Sequence, residues 1–489
     1  MKNINQFYLD KQNHKSKWHL VLTTSFGLIA SAYCLVLPQQ MRNLGDIFNL
    51  DDQKEFLALL TTFHYLLNSF LPYFSGVIRD SCGDSFAILF QNSLCVIGQF
   101  IATIGTHSGS KTTFIIGRLI IGWGIESLLI VLTSFICSYY KFTYLTFVLG
   151  IYQLIYMSGL VVCTLFAPNI DSAYGSNVIA LLFTILGLIM AYVTKDIDTN
   201  VQSIIVKQGA NYFQIEEGIK KSSQLFQKQG PSEIIQLQDD GEEIRIEQDY
   251  IEVQQINSEV FDQNIYDNCC GYGNKHEFPA IYWLLLFFYT FASTSVLVLV
   301  GYAQEFLLNK WLINLQNGED LARTLVTLMW LFSGCITPLL GFVIDMYGQR
   351  STLTIFSGLM AVWAHLLVLL QSPFEGLLLL GFSFALSYTT VWSSVLYITH
   401  PHKYGRSLAL FVCLQNFGIS ITPHICTFFE ILTNSKIVTE TFLLLLAILA
   451  TTASLLVYKE DKKFVNLIDR GLQVESEISS KIKSSKLQN

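Results

Sequence analysis

The chain has 489 residues, 52% of them hydrophobic and only 14% charged, with a formal net charge of −7 and a mean hydropathy of +0.44. Soluble domains carry about 25% charged residues. The composition therefore argues against a soluble enzyme and for an integral membrane protein.

The first 17 residues form a polar, basic tail holding Lys2, Lys11, Lys15 and Lys17. No small-residue cleavage site follows the first apolar run, so Trp18 onward reads as an uncleaved span. Six spans are predicted at 18–38, 56–78, 85–106, 112–136, 142–168 and 175–194, each long enough to cross a ~30 Å hydrocarbon core. A polar linker occupies 195–278. Six further spans follow at 279–305, 321–344, 351–371, 374–398, 405–430 and 437–457, and a tail at 458–489. The expected fold is an all-α membrane protein of twelve transmembrane helices in two pseudo-symmetric six-helix bundles, 18–194 and 279–457.

Basic residues set the expected orientation. Arg79, Lys141, Arg350, Lys403 and Arg406 fall in short loops on the side of both tails, as do Lys459, Lys462 and Lys463. The positive-inside rule then puts both termini and the linker in the cytosol. The linker has 16 acidic against 7 basic residues, so the acidity of the chain belongs to this loop and not to a binding site. One amphipathic helix is expected near Val201–Phe226. Tyr212-Phe213-Gln214-Ile215 and Tyr250-Ile251-Glu252-Val253 fit a tyrosine sorting pattern, although a solvated linker explains them as well. Cys269-Cys270 near the seventh span reads equally as a palmitoylation site or as two plain thiols. The ten cysteines, among them Cys34, Cys95, Cys137 and Cys163 inside apolar runs, form neither a disulfide framework nor a zinc site.

A G-x-x-x-D-x-x-G turn occurs between the second and third spans of each half: Gly76, Asp80 and Gly83, then Gly341, Asp345 and Gly348, the latter followed by Arg350. Duplicated halves are a common design of secondary transporters. The glycines permit a tight turn and close helix approach. The carboxylate is expected to cap a helix N-terminus of the other half and stabilise one closed state, the alternative being an ordinary solvated turn. Asp345 sits in the fuller copy, since Asp84-Ser85 stand where basic residues follow Asp345.

The fourth span carries Arg118 and Glu126, separated by eight residues or about 12 Å of helix rise, too far to pair directly. A charge near the bilayer centre costs on the order of 2.5–3.5 kcal/mol, so each should face a cavity or a partner. Glu126 is the candidate for a substrate cation or a proton; Arg118, nearer the lumenal end, reads as a structural charge. His64 and Asn68 on the second span, and Gln415 and Asn416 on the eleventh, are further candidates for lining a substrate site. His365, His424 and Glu305 are weaker ones. Nothing in the sequence calls for a metal, a cofactor, a nucleic acid or ATP.

These patterns resemble the major facilitator superfamily. Within it, Gly117–Ser127, Tyr140-Lys141 through Gly150 to Gly159, Pro338 with Gly341 and Asp345, and Trp392, Pro401, Gly405 and Gln415-Asn416-Phe417-Gly418 are similar to the lysosomal dipeptide uniporters of the major facilitator superfamily domain-containing protein one type. The resemblance implies that Glu126 holds a peptide amino group. It implies a carboxylate-binding arginine on the fifth span where this chain has Met157, which offers no donors. Leu35-Val36-Leu37-Pro38 likewise replaces polar residues on the first span. Either the substrate lacks a carboxylate, or another group such as His64 or Lys310 reads it, or transport has changed more deeply. The resemblance also implies a lysosomal or other endomembrane location and a glycosylated lumenal accessory protein, the chain itself having no N-glycan sequon. Three functions stay open: a carrier of a small amine-bearing, dipeptide-like solute; a proton-coupled carrier of another organic solute; and a non-transporting membrane subunit or receptor.

Overall fold

The computed structural model describes residues 16–41, 43–141, 143–226, 278–312, 317–435, 437–463 and 468–469, side chains of Lys54 and of 205–226 excepted. Lys2, Lys11 and Lys15, the tyrosine pattern at 250–253 and Cys269-Cys270 lie outside the described residues; the pattern at 212–215 lies where only the backbone is described.

Long helices account for the architecture. The first half consists of α1 (Lys17–Gln40), a short α2 (Leu44–Phe48), α3 (Gln53–Leu67), α4 (Leu71–Cys82), α5 (Asp84–Ser108), α6 (Lys111–Tyr140), α7 (Leu145–Phe166) and α8 (Ala173–Phe226). The second comprises α9 (Ala280–Lys310), α10 (Gly318–Tyr347), α11 (Arg350–Leu370), α12 (Pro373–Ile398), α13 (Tyr404–Thr433) and α14 (Ile437–Lys463). Eleven of these are long and apolar enough to cross a membrane. The second span makes the twelfth and is broken into α3 and α4 at Asn68-Ser69-Phe70. Outward-facing apolar side chains such as Leu182, Leu339 and Ile189 are more than half exposed, as lipid-facing positions should be. The sixth span and the amphipathic segment expected after it form one helix, α8, without a break.

Prolines explain two local features. Pro72 in the first turn of α4 has no N–H, so the carbonyl of Asn68 four residues back loses its helical partner. Asn416 Nδ2 on α13 donates to that carbonyl at 3.2 Å. Pro38 within α1 frees the carbonyl of Cys34 in the same way, and Arg118 Nη2 on α6 donates to it at 2.8 Å. Each proline thus hands a backbone acceptor to a neighbouring helix.

Small residues set the closest packing. A Cβ on Gly105 of α5 would lie 2.7 Å from Phe114 Cα of α6, and one on Gly150 of α7 would lie 2.6 Å from Pro338 Cα of α10. The two halves meet along α4 with α13 and α7 with α10. Between them a buried cluster with Tyr139, Tyr152, Tyr282, Tyr388, Trp392 and Phe411 fills the half of the bundle nearest the duplicated turns. That end, called the turn end below, also holds the start of α1 and the end of α14.

Candidate functional site

At the turn end the two repeated motifs do the same work in opposite directions. Helix α4 stops at Gly83, φ +86°, and α10 stops at Gly348, φ +75°, backbone that glycine adopts without a Cβ penalty. One turn earlier, Asp345 reaches across to the first turn of α7. Its Oδ1 accepts the Thr146 N–H at 3.1 Å, and its Oδ2 accepts the Phe147 N–H at 2.8 Å. Asp80 reaches to the first turn of α13, where Oδ1 accepts the Gly405 N–H at 2.8 Å. Its Oδ2 accepts both the Arg406 N–H and Arg406 Nε at 3.1 Å. Unpaired N–H groups and the positive end of the helix dipole make these termini natural carboxylate sites. Asp345 is 2% exposed and the Asp80 side chain 5%, so both carboxylates are buried although residues of the turns themselves, such as Cys82 and Tyr347, are exposed.

Arginines complete both contacts. Arg350 Nη2 lies 3.4 Å from Asp345 Oδ1 and donates to Thr146 Oγ1 at 3.3 Å. Arg79 Nη1 donates to Asp80 at 3.2 Å and to the Pro401 carbonyl of the other half at 2.7 Å. Its Nε and Nη2 form a fork on Asp84 at 2.7 and 3.2 Å. Asp84, which weakens the first copy as a sequence pattern, is therefore what orients Arg79. Arg79, Arg406 and Thr146 join the contacts between halves with partners far away along the chain, so no local pattern marks them for it.

At mid-depth, about half-way along α6, Glu126 Oε1 faces His64 Nε2 at 3.5 Å. Gly122, one turn before Glu126, makes room for that ring: a Cβ there would meet His64 Nδ1 at 2.7 Å. Asn68 follows His64 by one turn and joins the other half through Asn416, with its own Oδ1 buried and unbonded. Tyr65 and Tyr156 of the first half, and Tyr289 and Cys413 of the second, lie within electrostatic reach of Glu126. The Glu126 side chain keeps 15% exposure. His64, Asn68, Glu126 and Asn416 thus assemble where the halves meet; Gln415 precedes Asn416 on α13 and is half-buried.

Other candidates lie elsewhere. Met157 is 3% exposed and packs in an apolar cluster with Val296 and Met329; its Cβ is 3.0 Å from the position a Cβ on Gly334 would take. Lys310 donates to the Leu369 carbonyl on α11, and His424 is exposed. His365 is fully buried with Nδ1 2.8 Å from Glu440 Oε1, whose Oε2 accepts the Tyr302 hydroxyl at 3.0 Å. Glu440 was not legible as a buried group because it stands at the edge of the last span, four residues after Lys436.

A model of the Major Facilitator Superfamily matches residues 20–423. The chain belongs to the major facilitator superfamily. It is similar to the lysosomal dipeptide transporter MFSD1 of Danio rerio, 21% identical over 147 residues, which are 30% of this chain and 31% of that protein. It is also similar to MFSD1 of Mus musculus, 22% identical over 129 residues, 26% and 27% of the two chains. These matches span less than a third of the relatives' length. Among solved structures, it superposes on the proton:xylose symporter XylE bound to 6-bromo-6-deoxy-D-glucose with a TM-score of 0.63 at 15% identity, over 93% of this chain and 96% of that one. It superposes on the human organic anion transporter MFSD10 with a TM-score of 0.60 at 13% identity, over 90% and 100%. At these identities the likeness is one of fold. As a major facilitator superfamily transporter, the chain has its Glu126 cluster between the two bundles and its crossed aspartates at one end of them.

Proposed function

We propose that this transporter moves a small amine-bearing organic solute, dipeptide-like in size, by alternating access, with Glu126 receiving the ammonium group. The supporting observation is the position of Glu126: a partly accessible carboxylate at mid-depth, within reach of both halves, with no lysine or arginine paired to it among the described residues and a histidine as its neighbour. An ammonium group fits that environment because it supplies the charge partner the carboxylate needs in a low-dielectric site. In this reading Asp80 and Asp345 latch the turn end shut, and Gly76, Gly83, Gly341, Gly348 and Arg350 shape the latch. His64, Asn68, Gln415 and Asn416 line the site; Met157 packs and does not bind. The clustering of Arg79, Lys141, Arg350 and Arg406 at the turn end supports a cytosolic turn end. The partial similarity to the lysosomal dipeptide transporter MFSD1 supports a lysosomal membrane.

The test is uptake of a labelled dipeptide into proteoliposomes by wild type and Glu126→Gln, with melting temperature as the folding control. The variant should fold and lose uptake; undiminished uptake would sink the assignment.

The His64–Glu126 contact favours a second reading, in which this pair carries a proton with the solute. Uptake would then be electrogenic and stimulated by acid, and His64→Gln would remove the stimulation.

A further inference from the structure

Helix α11 starts without a capping side chain of its own. It begins at Arg350 directly after the Gly348 break, and its N-cap position is Gln349, φ +58°, whose side chain makes no cap bond. The cap comes from 118 residues further along the chain. Asp469 Oδ1 accepts the Ser351 N–H at 2.6 Å, and its Oδ2 accepts the Ser351 hydroxyl at 2.6 Å. The Asp469 carbonyl accepts the Gln349 N–H at 3.1 Å. A third carboxylate at the turn end thus does for α11 what Asp345 does for α7 and Asp80 for α13.

The preceding residue anchors the segment. Ile468 is 1% exposed, within the buried cluster that holds Tyr282, Trp392 and Phe411. Its N–H donates to Asp461 Oδ1 at 2.9 Å, a fully buried group near the end of α14. Its carbonyl accepts Arg350 Nη1 at 3.1 Å. The same guanidinium donates from Nε to Ser393 at 3.1 Å, and its Nη2 meets Thr146 and Asp345 at 3.3 and 3.4 Å. A guanidinium is one rigid plane, so the bond to Ile468 fixes the orientation in which Nη2 reaches the α7 contact.

The first half has a corresponding tether in permanent form. Ser85 stands five residues after Asp80, as Arg350 stands five after Asp345. Ser85 Oγ donates to Asp198 Oδ2 at 2.7 Å, and the Tyr139 hydroxyl to Asp198 Oδ1 at 2.5 Å. Asp198 belongs to α8, which continues unbroken to Phe226, so the helix itself holds that carboxylate in place. Helix α14 ends at Lys463, and Ile468 and Asp469 lie outside any helix. Their contacts can break while every membrane span stays in position.

The structure assigns Ile468-Asp469 as a detachable strap that regulates the turn end. Bound, it caps α11 and aims Arg350 at the α7 contact; released, it frees Arg350 and weakens the hold of Asp345 on the other half. The inference rests on the latch reading of Asp345 and adds what controls that latch. Coupling of this kind is reciprocal: opening the latch must also loosen the strap.

Cys137 supplies a native reporter. It is fully buried on α6, in the same turn-end cluster as Tyr404 of the other half. Purified full-length wild type, Asp469→Ala and Asp345→Ala are compared by the rate at which N-ethylmaleimide labels Cys137, read by mass spectrometry, and by hydrogen exchange at the Ser351 amide. Melting temperature checks folding. Asp469→Ala should label Cys137 about fivefold faster, the shift that one lost helix cap makes in an equilibrium. Asp345→Ala should also label faster, and exchange at Ser351, which Asp345 does not touch, should rise with it. Asp469→Asn keeps one acceptor oxygen and should fall between wild type and Asp469→Ala; it carries the same comparison if the alanine variant does not fold. Faster exchange at Ser351 in Asp469→Ala with unchanged Cys137 labelling, while Asp345→Ala labels faster, overturns the strap and leaves the latch standing. Unchanged labelling in both variants removes the latch and the strap together.

Discussion

Gly76 and Gly405 meet backbone to backbone across the two halves: a Cβ on Gly76 would lie 2.5 Å from the Gly405 carbonyl oxygen. The same approach brings the Gly405 N–H to 2.8 Å from Asp80. Glycine here is therefore a condition for the carboxylate contact, since any side chain would push α4 and α13 apart by more than a hydrogen bond tolerates.

Gly76→Ala should loosen the turn end. Hydrogen exchange at the amides of Gly405 and Arg406 should speed up in the variant, with little change in the buried middle of α6. Unaltered exchange at those two amides would show that the glycine contact does not hold the halves together.

Asp345→Ala removes the acceptor of two N–H groups at the start of α7 and the partner of Arg350. Losing a helix cap costs about 1 kcal/mol, and leaving a buried charge without its partner costs more. Exchange at Thr146 and Phe147 should rise, and uptake should fall because the closed turn end is populated less. Asp345→Asn keeps one acceptor oxygen and should fall between wild type and Ala.

The His365–Glu440 pair is fully buried, and His365 Nε2 has no partner. Glu440→Ala strands His365 and the Tyr302 hydroxyl, a loss of about 1–3 kcal/mol for each buried polar group left without its partner. The double change His365→Leu/Glu440→Met removes both members and should recover most of the lost melting temperature. A double variant as unstable as the single one would refute a packing role for the pair.

Met157→Arg, which restores the residue type implied by the dipeptide-transporter resemblance, should not create a peptide site. At 3% exposure among Val296, Met329 and Gly334, an arginine would have apolar neighbours, at a cost on the order of 2.5–3.5 kcal/mol. A lower melting temperature with no gain in dipeptide affinity is the expected result.

Much of the fold was legible because a lipid-spanning helix announces itself locally, in some 20 apolar residues. The duplicated Asp80 and Asp345 turns were legible for the same reason: each motif is short. What they touch was not, because Asp80 pairs with Gly405 and Arg406 more than 300 residues later. Averaged hydropathy also hides the break at Asn68-Ser69-Phe70, where polarity changes for only two residues. Pro72 was the available signal, and so was Pro38 for the Arg118 contact. Counting back four residues from each proline identifies the carbonyl that another helix must satisfy.

The broken second span has one more consequence. Its upper piece, α3, carries His64 and ends just before Asn68; its lower piece, α4, carries Gly76 and Asp80. The corresponding span of the other half, α10, is one continuous helix. One bundle therefore has an elbow between the proposed cargo-facing segment and the proposed clasp, and the other has an unbroken strut. A solute pulling on His64 would bend the elbow first, so the clasp at Asp80 should release before the clasp at Asp345, and opening would proceed like a door on one hinge and not like a pair of shutters.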